Sequence, residues 1–275
     1  MHRHVRTRNT VGLLFLIGIL FAVTPAHAQE PAPDDRVLDP AEPDFVLVNL
    51  PTTLRLPARG GNFHLSHRFN ENIRQDSFGD QVSSLFGLDE GANIALEFRY
   101  GIVRSLQAAV RRTNLSRTIQ LSTKYDAWHQ HGSMPVSISA LFSVEGDDNF
   151  RQHYAPAVGV VVSRTVAKRF AAYATPVFVA NTSVGGALHR NTAFIGIGGS
   201  ARVLSTTYVM GEVSPRIAGL AISDPAYALS LEKRVGRHIF ALTVANGAQS
   251  TFRQLSHGGV PHGLYLGFNL GRKFF

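Results

Sequence analysis

Gly263-Leu264-Tyr265-Leu266-Gly267-Phe268-Asn269-Leu270-Gly271-Arg272-Lys273-Phe274-Phe275 closes the chain. At a period of two, Leu264, Leu266, Phe268, Leu270 and Phe274 share one face, interrupted only by Arg272. Tyr265, Gly267, Asn269, Gly271 and Lys273 share the other. Successive side chains of a strand point to opposite sides, so this spacing predicts a β-strand with one apolar and one polar face.

The same alternation runs upstream. Residues 62–69 set Phe63, Leu65 and Phe69 against His64, Ser66 and Arg68, with His67 breaking the apolar side. Residues 92–100 set Ile94, Leu96, Phe98 and Tyr100 against Glu97 and Arg99. Further strands are expected at 106–112, 118–125, 135–145, 153–163, 169–180, 191–203, 207–216, 226–234, 238–246 and 261–275. The joins alternate in length. Those at 70–91, 113–117, 146–152, 181–190, 217–225 and 247–260 tend to be long, while 101–105, 164–168, 204–206 and 235–237 are short; 126–134 is the exception. Runs of roughly ten residues cross a bilayer core at about 45° tilt. Long loops on one side, short turns on the other and an even strand number are the pattern of bacterial barrels. The predicted fold is therefore all-β, a single closed antiparallel transmembrane β-barrel of about 12 strands, with both termini periplasmic. A water-soluble β-sandwich also alternates and turns often, but it would end on no particular residue.

Residues 1–28 read as an address. Arg3, Arg6 and Arg8 precede an apolar core at 11–23, and Ala26-His27-Ala28 forms a small-residue cleavage site before Gln29. Removing those three Arg and no acid lowers the formal charge from +8 by three, so part of the basic balance belongs to export and nucleic acid is a poor inference. The chain has no Cys, which removes disulfides, thiolate metal sites and a lipidated cysteine. After residue 28 there is no apolar run long enough for a spanning helix.

Residues 29–50 carry Pro31, Pro33, Pro40 and Pro43 among acids and read as an acidic, Pro-rich, solvated periplasmic linker. The barrel domain is expected over 51–275. Residues 46–56 are an extended lead-in, broken by Pro51 and Pro57, either a barrel entry strap or a docking segment for a periplasmic partner. Inside the long join 70–91, Val82, Leu85 and Phe86 have helical spacing, consistent with a constriction at the mouth or a surface cap.

Several stretches resemble a bacterial family of outer-membrane-type β-barrel domains without an established function. They are residues 62–69 (NFHLSHRF), 86–91 (FGLDEG), 135–141 (PVSISAL), 211–217 (GEVSPRI) and 264–274 (LYLGFNLGRKF). The resemblance spans about 50–275, implies a barrel and carries over no catalytic residue. Outer-membrane barrels commonly end on an aromatic in phase with the lipid face. Leu266, Phe268, Leu270, Phe274 and Phe275 form the candidate assembly signal, with Phe274 in phase and Phe275 trailing it. The expected partners are outer-membrane lipid and the barrel-assembly machinery, with no nucleic acid.

Charges that cannot face lipid without cost belong in the lumen. The alternation assigns Arg68, Arg99, Arg111, Lys124, Arg202, Arg216, Arg234 and Lys273 to it, against Glu97, Glu145, Glu212 and Glu232. A net positive lining attracts anions. The leading expectation is a passive outer-membrane channel for small anionic or neutral solutes. The alternative is a closed, non-transporting barrel that anchors or scaffolds a partner.

Three patterns suggest chemistry and none carries it. His64 and Ser66, two apart on one strand face, have the spacing of an outer-membrane lipid hydrolase pair, but the alternation turns them to the lumen. Residues 196–201 (GIGGSA) match G-x-G-x-x-A, yet a strand follows where a dinucleotide site needs a helix. Small residues that permit close packing explain it better. His129, His131, His257 and His262 sit in joins without a carboxylate or third ligand at fixed spacing. No enzyme activity, cofactor or metal is expected. Tyr100, Tyr125, Trp128, Tyr154, Phe170, Tyr208, Tyr227 and Phe274 lie near strand ends, where an interfacial girdle belongs.

Overall fold

The computed structural model describes residues 38–275 apart from 76, 85–90, 184–190 and 221–223. The expected signal peptide 1–28, the first part of the linker, and Leu85 and Phe86 lie outside the described residues.

The strands are β1 (Gly61–Phe69), β2 (Ala92–Val103), β3 (Leu106–Thr113), β4 (Ile119–Trp128), β5 (Ser137–Gly146), β6 (Gln152–Val166), β7 (Phe170–Ala180), β8 (Asn191–Leu204), β9 (Thr207–Ser214), β10 (Arg216–Ala218), β11 (Ala226–Val235), β12 (His238–Ala245) and β13 (Tyr265–Phe274). Every pairing is between antiparallel neighbours, and β1 pairs with β13 from Gly61↔Phe274 to Arg68↔Gly267. The ring closes through β8–β9, giving a twelve-stranded barrel with the short β10 outside the count. Closure leaves no strand edge to be satisfied by water, which a bilayer cannot supply. The expected strand at 207–216 is split. Pro215 offers no N–H, β9 ends before it, and β10 resumes paired with β8.

Alternation sorts the side chains by face. Leu96, Phe98, Val110, Leu121, Phe142 and Phe240 are exposed on the outside, whereas Glu97, Arg99, Arg111, Gln120 and Lys124 between them are buried inside. An exposed apolar belt around the whole barrel would not persist in water; acyl chains cover it.

Among the described residues the joins carry the short helices α1 (Phe78–Ser83), α2 (Asp147–Phe150, with Asp148 and Asn149 at positive φ) and α3 (Phe252–Ser256), and a 3-10 turn at Leu115–Arg117. α1 lies in the long join at the mouth. That join is tied to the last loop by Ile73 N–H donating to the Leu264 carbonyl at 2.9 Å.

The described part of the expected linker, residues 38–50, is not solvated. With 51–56 it folds into a hairpin inside the barrel. Ala41, Glu42, Phe45, Val46, Leu47, Val48 and Leu50 are buried. Leu47 N–H donates to the Leu50 carbonyl at 2.8 Å and Thr52 N–H to the Phe45 carbonyl at 3.0 Å, with Val46 bridging Pro51. The physical reason is that residues 45–50 (FVLVNL) form an apolar run that gains by leaving water, while the flanking acids find cations on the wall.

Candidate functional site: an occupied lumen

Two insertions fill the lumen. The hairpin enters from the short-turn end, and its tip is held by one carboxylate. Glu212 on β9 accepts the N–H groups of Val48 (3.1 Å), Asn49 (3.0 Å) and Leu50 (3.0 Å), and the Asn49 side-chain amide at 2.9 Å. Three successive N–H groups turned to one anion form a backbone nest, the geometry that suits a negative charge. Each hydrogen bond to a charged partner contributes about 1.5–3 kcal/mol.

The two limbs are pinned separately. Lys124 Nζ donates to the carbonyls of Thr52 (3.0 Å) and Leu54 (2.6 Å). Arg234 donates to the Glu42 carbonyl at 2.5 Å, and Tyr173 Oη donates to the Glu42 carboxylate at 3.1 Å. Tyr208 Oη donates to the Pro40 carbonyl at 2.9 Å and Ser200 Oγ to that of Ala41 at 3.1 Å. Phe45 receives Arg99 and Lys273 on its ring, 5.9 and 5.7 Å from the centroid. Lys273 lies 3.8 Å from Asp44.

Backbone room for the hairpin comes from β8. A Cβ on Gly196 would stand 2.6 Å from Leu50 Cδ1, and one on Gly198 would stand 2.5 Å from Leu47 Cδ1. The G-x-G-x-x-A stretch is thus an inward groove for two leucines, with strand rather than helix after it.

The second insertion comes from the long-loop end. Residues 246–264 fold α3 down into the barrel, where Phe252 and Leu255 pack in one cluster with Leu50 of the hairpin tip. Thr251 and Gln254 form a reciprocal capping box. Thr251 also donates to Glu145 at 2.9 Å, Arg253 pairs with Asp147 at 2.6 Å, and Arg111 donates to the Ser250 carbonyl. Between the hairpin, Phe252 and the β2–β5 wall remains a cavity of about 50 Å³. That holds a few waters and no larger solute.

The twelve charged residues assigned to the lumen sit as follows. Arg68, Glu97, Arg99, Arg111, Lys124, Glu145, Glu212, Glu232 and Lys273 are buried. Arg202, Arg216 and Arg234 are half-buried. Most are paired. Glu97 meets Arg99 and Arg111, Lys124 meets Asp126 at 3.3 Å, and Glu232 meets Arg234 at 3.2 Å. Arg68 donates to Asn269 at 2.8 Å. Arg216 reaches out of this set to the Ser256 and His257 carbonyls behind α3. Arg202 pairs in register with Tyr208 at the short-turn end.

The C-terminal residues divide between the two faces. Leu270 and Phe274 are exposed outside, and Leu266 and Phe268 are half-buried in the same phase. Phe275 falls in the inward phase and packs with Phe45, Leu54 and Leu56 of the hairpin. Tyr100, Tyr125, Trp128, Tyr154 and Phe170 are exposed near strand ends, but Tyr208 is buried and points inward. His64 and Ser66 are buried on the lumen face. Among the described residues no cluster of three or more His, Cys, Asp or Glu is arranged for a metal ion.

Reading the sequence missed both insertions. The hairpin's signal is two apolar stretches flanking Asn49, and that of α3 is the T-x-x-Q capping pattern of Thr251 and Gln254.

A closed antiparallel barrel with an apolar outer belt and a charged, filled interior is a membrane β-barrel. Residues 44–274 match the membrane bound beta barrel domain family DUF5777, and the chain belongs to it. Among solved structures it is similar to a KdgM porin, with a TM-score of 0.49 and 10% identity over 78% of this chain and 98% of that one. KdgM porin in complex with disordered oligogalacturonate gives 0.47 and 11% over the same shares. A mutant Rh. blastica porin gives 0.35 and 10% over 66% and 55%. No curated protein matches the chain.

Proposed function

We propose that the protein is an outer-membrane channel for small anionic or neutral solutes, held shut by its own N-terminal hairpin. Its export rests on the signal-like residues 1–28, and the short turns face the periplasm. The observation that carries this reading is the grip of Glu212 on the hairpin tip. The hairpin is held largely by polar contacts and by glycine grooves, rather than by a strand ladder into the wall. A filler bonded this way leaves as a unit, without breaking the barrel. Withdrawn, it takes Glu42 and Asp44 with it and leaves a lining in which cations outnumber acids, which favours anions.

The test uses the absence of native Cys. Leu50→Cys with Gly196→Cys places a disulfide across the hairpin and β8. Oxidised, the refolded chain is expected to stay silent in planar bilayers; reduced, it is expected to show discrete steps with an anion-biased reversal potential in a salt gradient. A folded, heat-modifiable barrel with no steps in the reduced state would sink the channel. One observation then favours the second reading, a closed barrel that scaffolds a partner: the lumen is filled from both ends.

A further inference from the structure

Among the described residues, the exposed side-chain charges on the outer surface at the short-turn end are of one sign. Arg164, Lys168, Arg169, Lys233, Arg237 and Arg272 are exposed along the arc from β6 through β11 to β13. Among the described residues no exposed side-chain carboxylate stands with them: Asp39 is half-buried, and Glu42, Asp44, Asp126 and Glu232 are buried. The long-loop end differs, since its exposed Arg74, Arg117 and Arg151 share the surface with the exposed Asp80 and Asp224, and Arg117 also pairs with the half-buried Asp148 at 2.7 Å.

Position gives the arc its meaning. Arg164, Lys233 and Arg272 lie in the outward phase of their strands, on the face that carries the apolar belt. Lys233 stands opposite Phe240, and Arg272 lies over the ring of exposed Phe274 at 5.3 Å. Phe170 follows Arg169 directly. Exposed aromatics mark the depth at which hydrocarbon gives way to headgroups. Arg169 stands one residue beyond Phe170 toward the turn, Lys233 is level with Phe240, and Arg164 and Arg272 start two residues inside Phe170 and Phe274. Long side chains at these depths extend along the apolar face toward the phosphate plane.

We infer that this arc is a docking surface for the phosphate headgroups of anionic phospholipid in the leaflet at the short-turn end. Only the naming of that leaflet as periplasmic rests on the orientation proposed above. Six cations, with no exposed side-chain carboxylate beside them among the described residues, attract an anionic headgroup and spare a zwitterionic one, whose own ammonium offsets its phosphate.

The experiment is lipid retention on the detergent-purified full barrel, read by native mass spectrometry with equimolar dioleoylphosphatidylglycerol and dioleoylphosphatidylcholine. The wild type is expected to retain the glycerol lipid about tenfold over the choline lipid. Lys168→Gln with Arg169→Gln, Lys233→Gln and Arg237→Gln is expected to bring the ratio near parity. Arg74→Gln with Arg117→Gln, at the other end, should leave it unchanged. Equal retention by the wild type overturns the inference, as does a control variant that lowers the ratio as far as the arc variant. So does displacement of the glycerol lipid by soluble polyphosphate at matched charge, which would make the arc a site for a free polyanion. Should the fourfold variant fail to fold, the Lys168→Gln/Arg169→Gln pair in the tight turn is read in its place.

Discussion

Glu42 shows how one side chain reports whether the hairpin is seated. It belongs to the hairpin and not to a membrane-spanning strand. Burial pushes its carboxyl from 4.5 up to about 7, against the opposing pull of Lys124. Below about 4.5 it is protonated whether the hairpin is in or out, and seating has its full strength. As pH rises toward 7 the withdrawn form ionises first, so seating weakens through that window and stays weak above it. Channel opening is therefore expected to increase from pH 4.5 to 7 in the wild type. Glu42→Gln should flatten that rise, and a rise of equal size in the variant would count against Glu42 as its source. In the sequence this residue is one acid among several in a Pro-rich stretch. Nothing local distinguishes it from a solvated one.

At the scale of elements, the strands were legible and the fillers were not, for one reason. A strand with lipid on one side and a polar interior on the other must alternate, and alternation is local. Residues 92–100 display it without any knowledge of their neighbours. The hairpin is buried on all sides, so its FVLVNL run shows no period, and such a run is ambiguous between strand, helix and lead-in. Its partners are remote: Glu212 lies more than a hundred residues downstream. The inward phase of β9 was readable in Tyr208, Met210 and Glu212, and it alone turns Tyr208 away from the girdle. Glu212→Ala leaves the tip N–H groups of Val48, Asn49 and Leu50 without their acceptor. Loss of even one such charged hydrogen bond, about 2 kcal/mol, raises the open-to-closed ratio roughly thirtyfold, so at least that rise is expected. Single-channel open probability checks this. An unchanged value would mean that the apolar contacts of Leu47 and Leu50 alone hold the tip.

For the whole molecule, the lumen charges were legible as a set but not as pairs. Alternation says which side Glu97, Arg99 and Arg111 take; only the register of β2 with β3, Glu97↔Arg111, says that they meet. The outer belt offers a direct reading of membrane depth. Trp128 is the single tryptophan of the chain and is exposed at the short-turn end of β4. In vesicles its fluorescence is expected to be quenched most by lipids brominated near the headgroup end of the acyl chain and least by those brominated at the terminal methyl. The reverse order would place the belt deeper than the aromatic ring implies.

The hairpin is joined to β1 by residues 57–60 alone. A blocker on so short a tether meets its socket at an effective concentration on the order of millimolar, set by chain length and not by how many molecules are present. Dilution therefore cannot open the barrel, and no soluble competitor needs to be made in stoichiometric amount to keep it shut. In the gated channel proposed above, reclosure after each excursion would be a first-order event, private to each molecule. A population of such barrels in one membrane would open one by one and reseal at a rate that expression level does not alter.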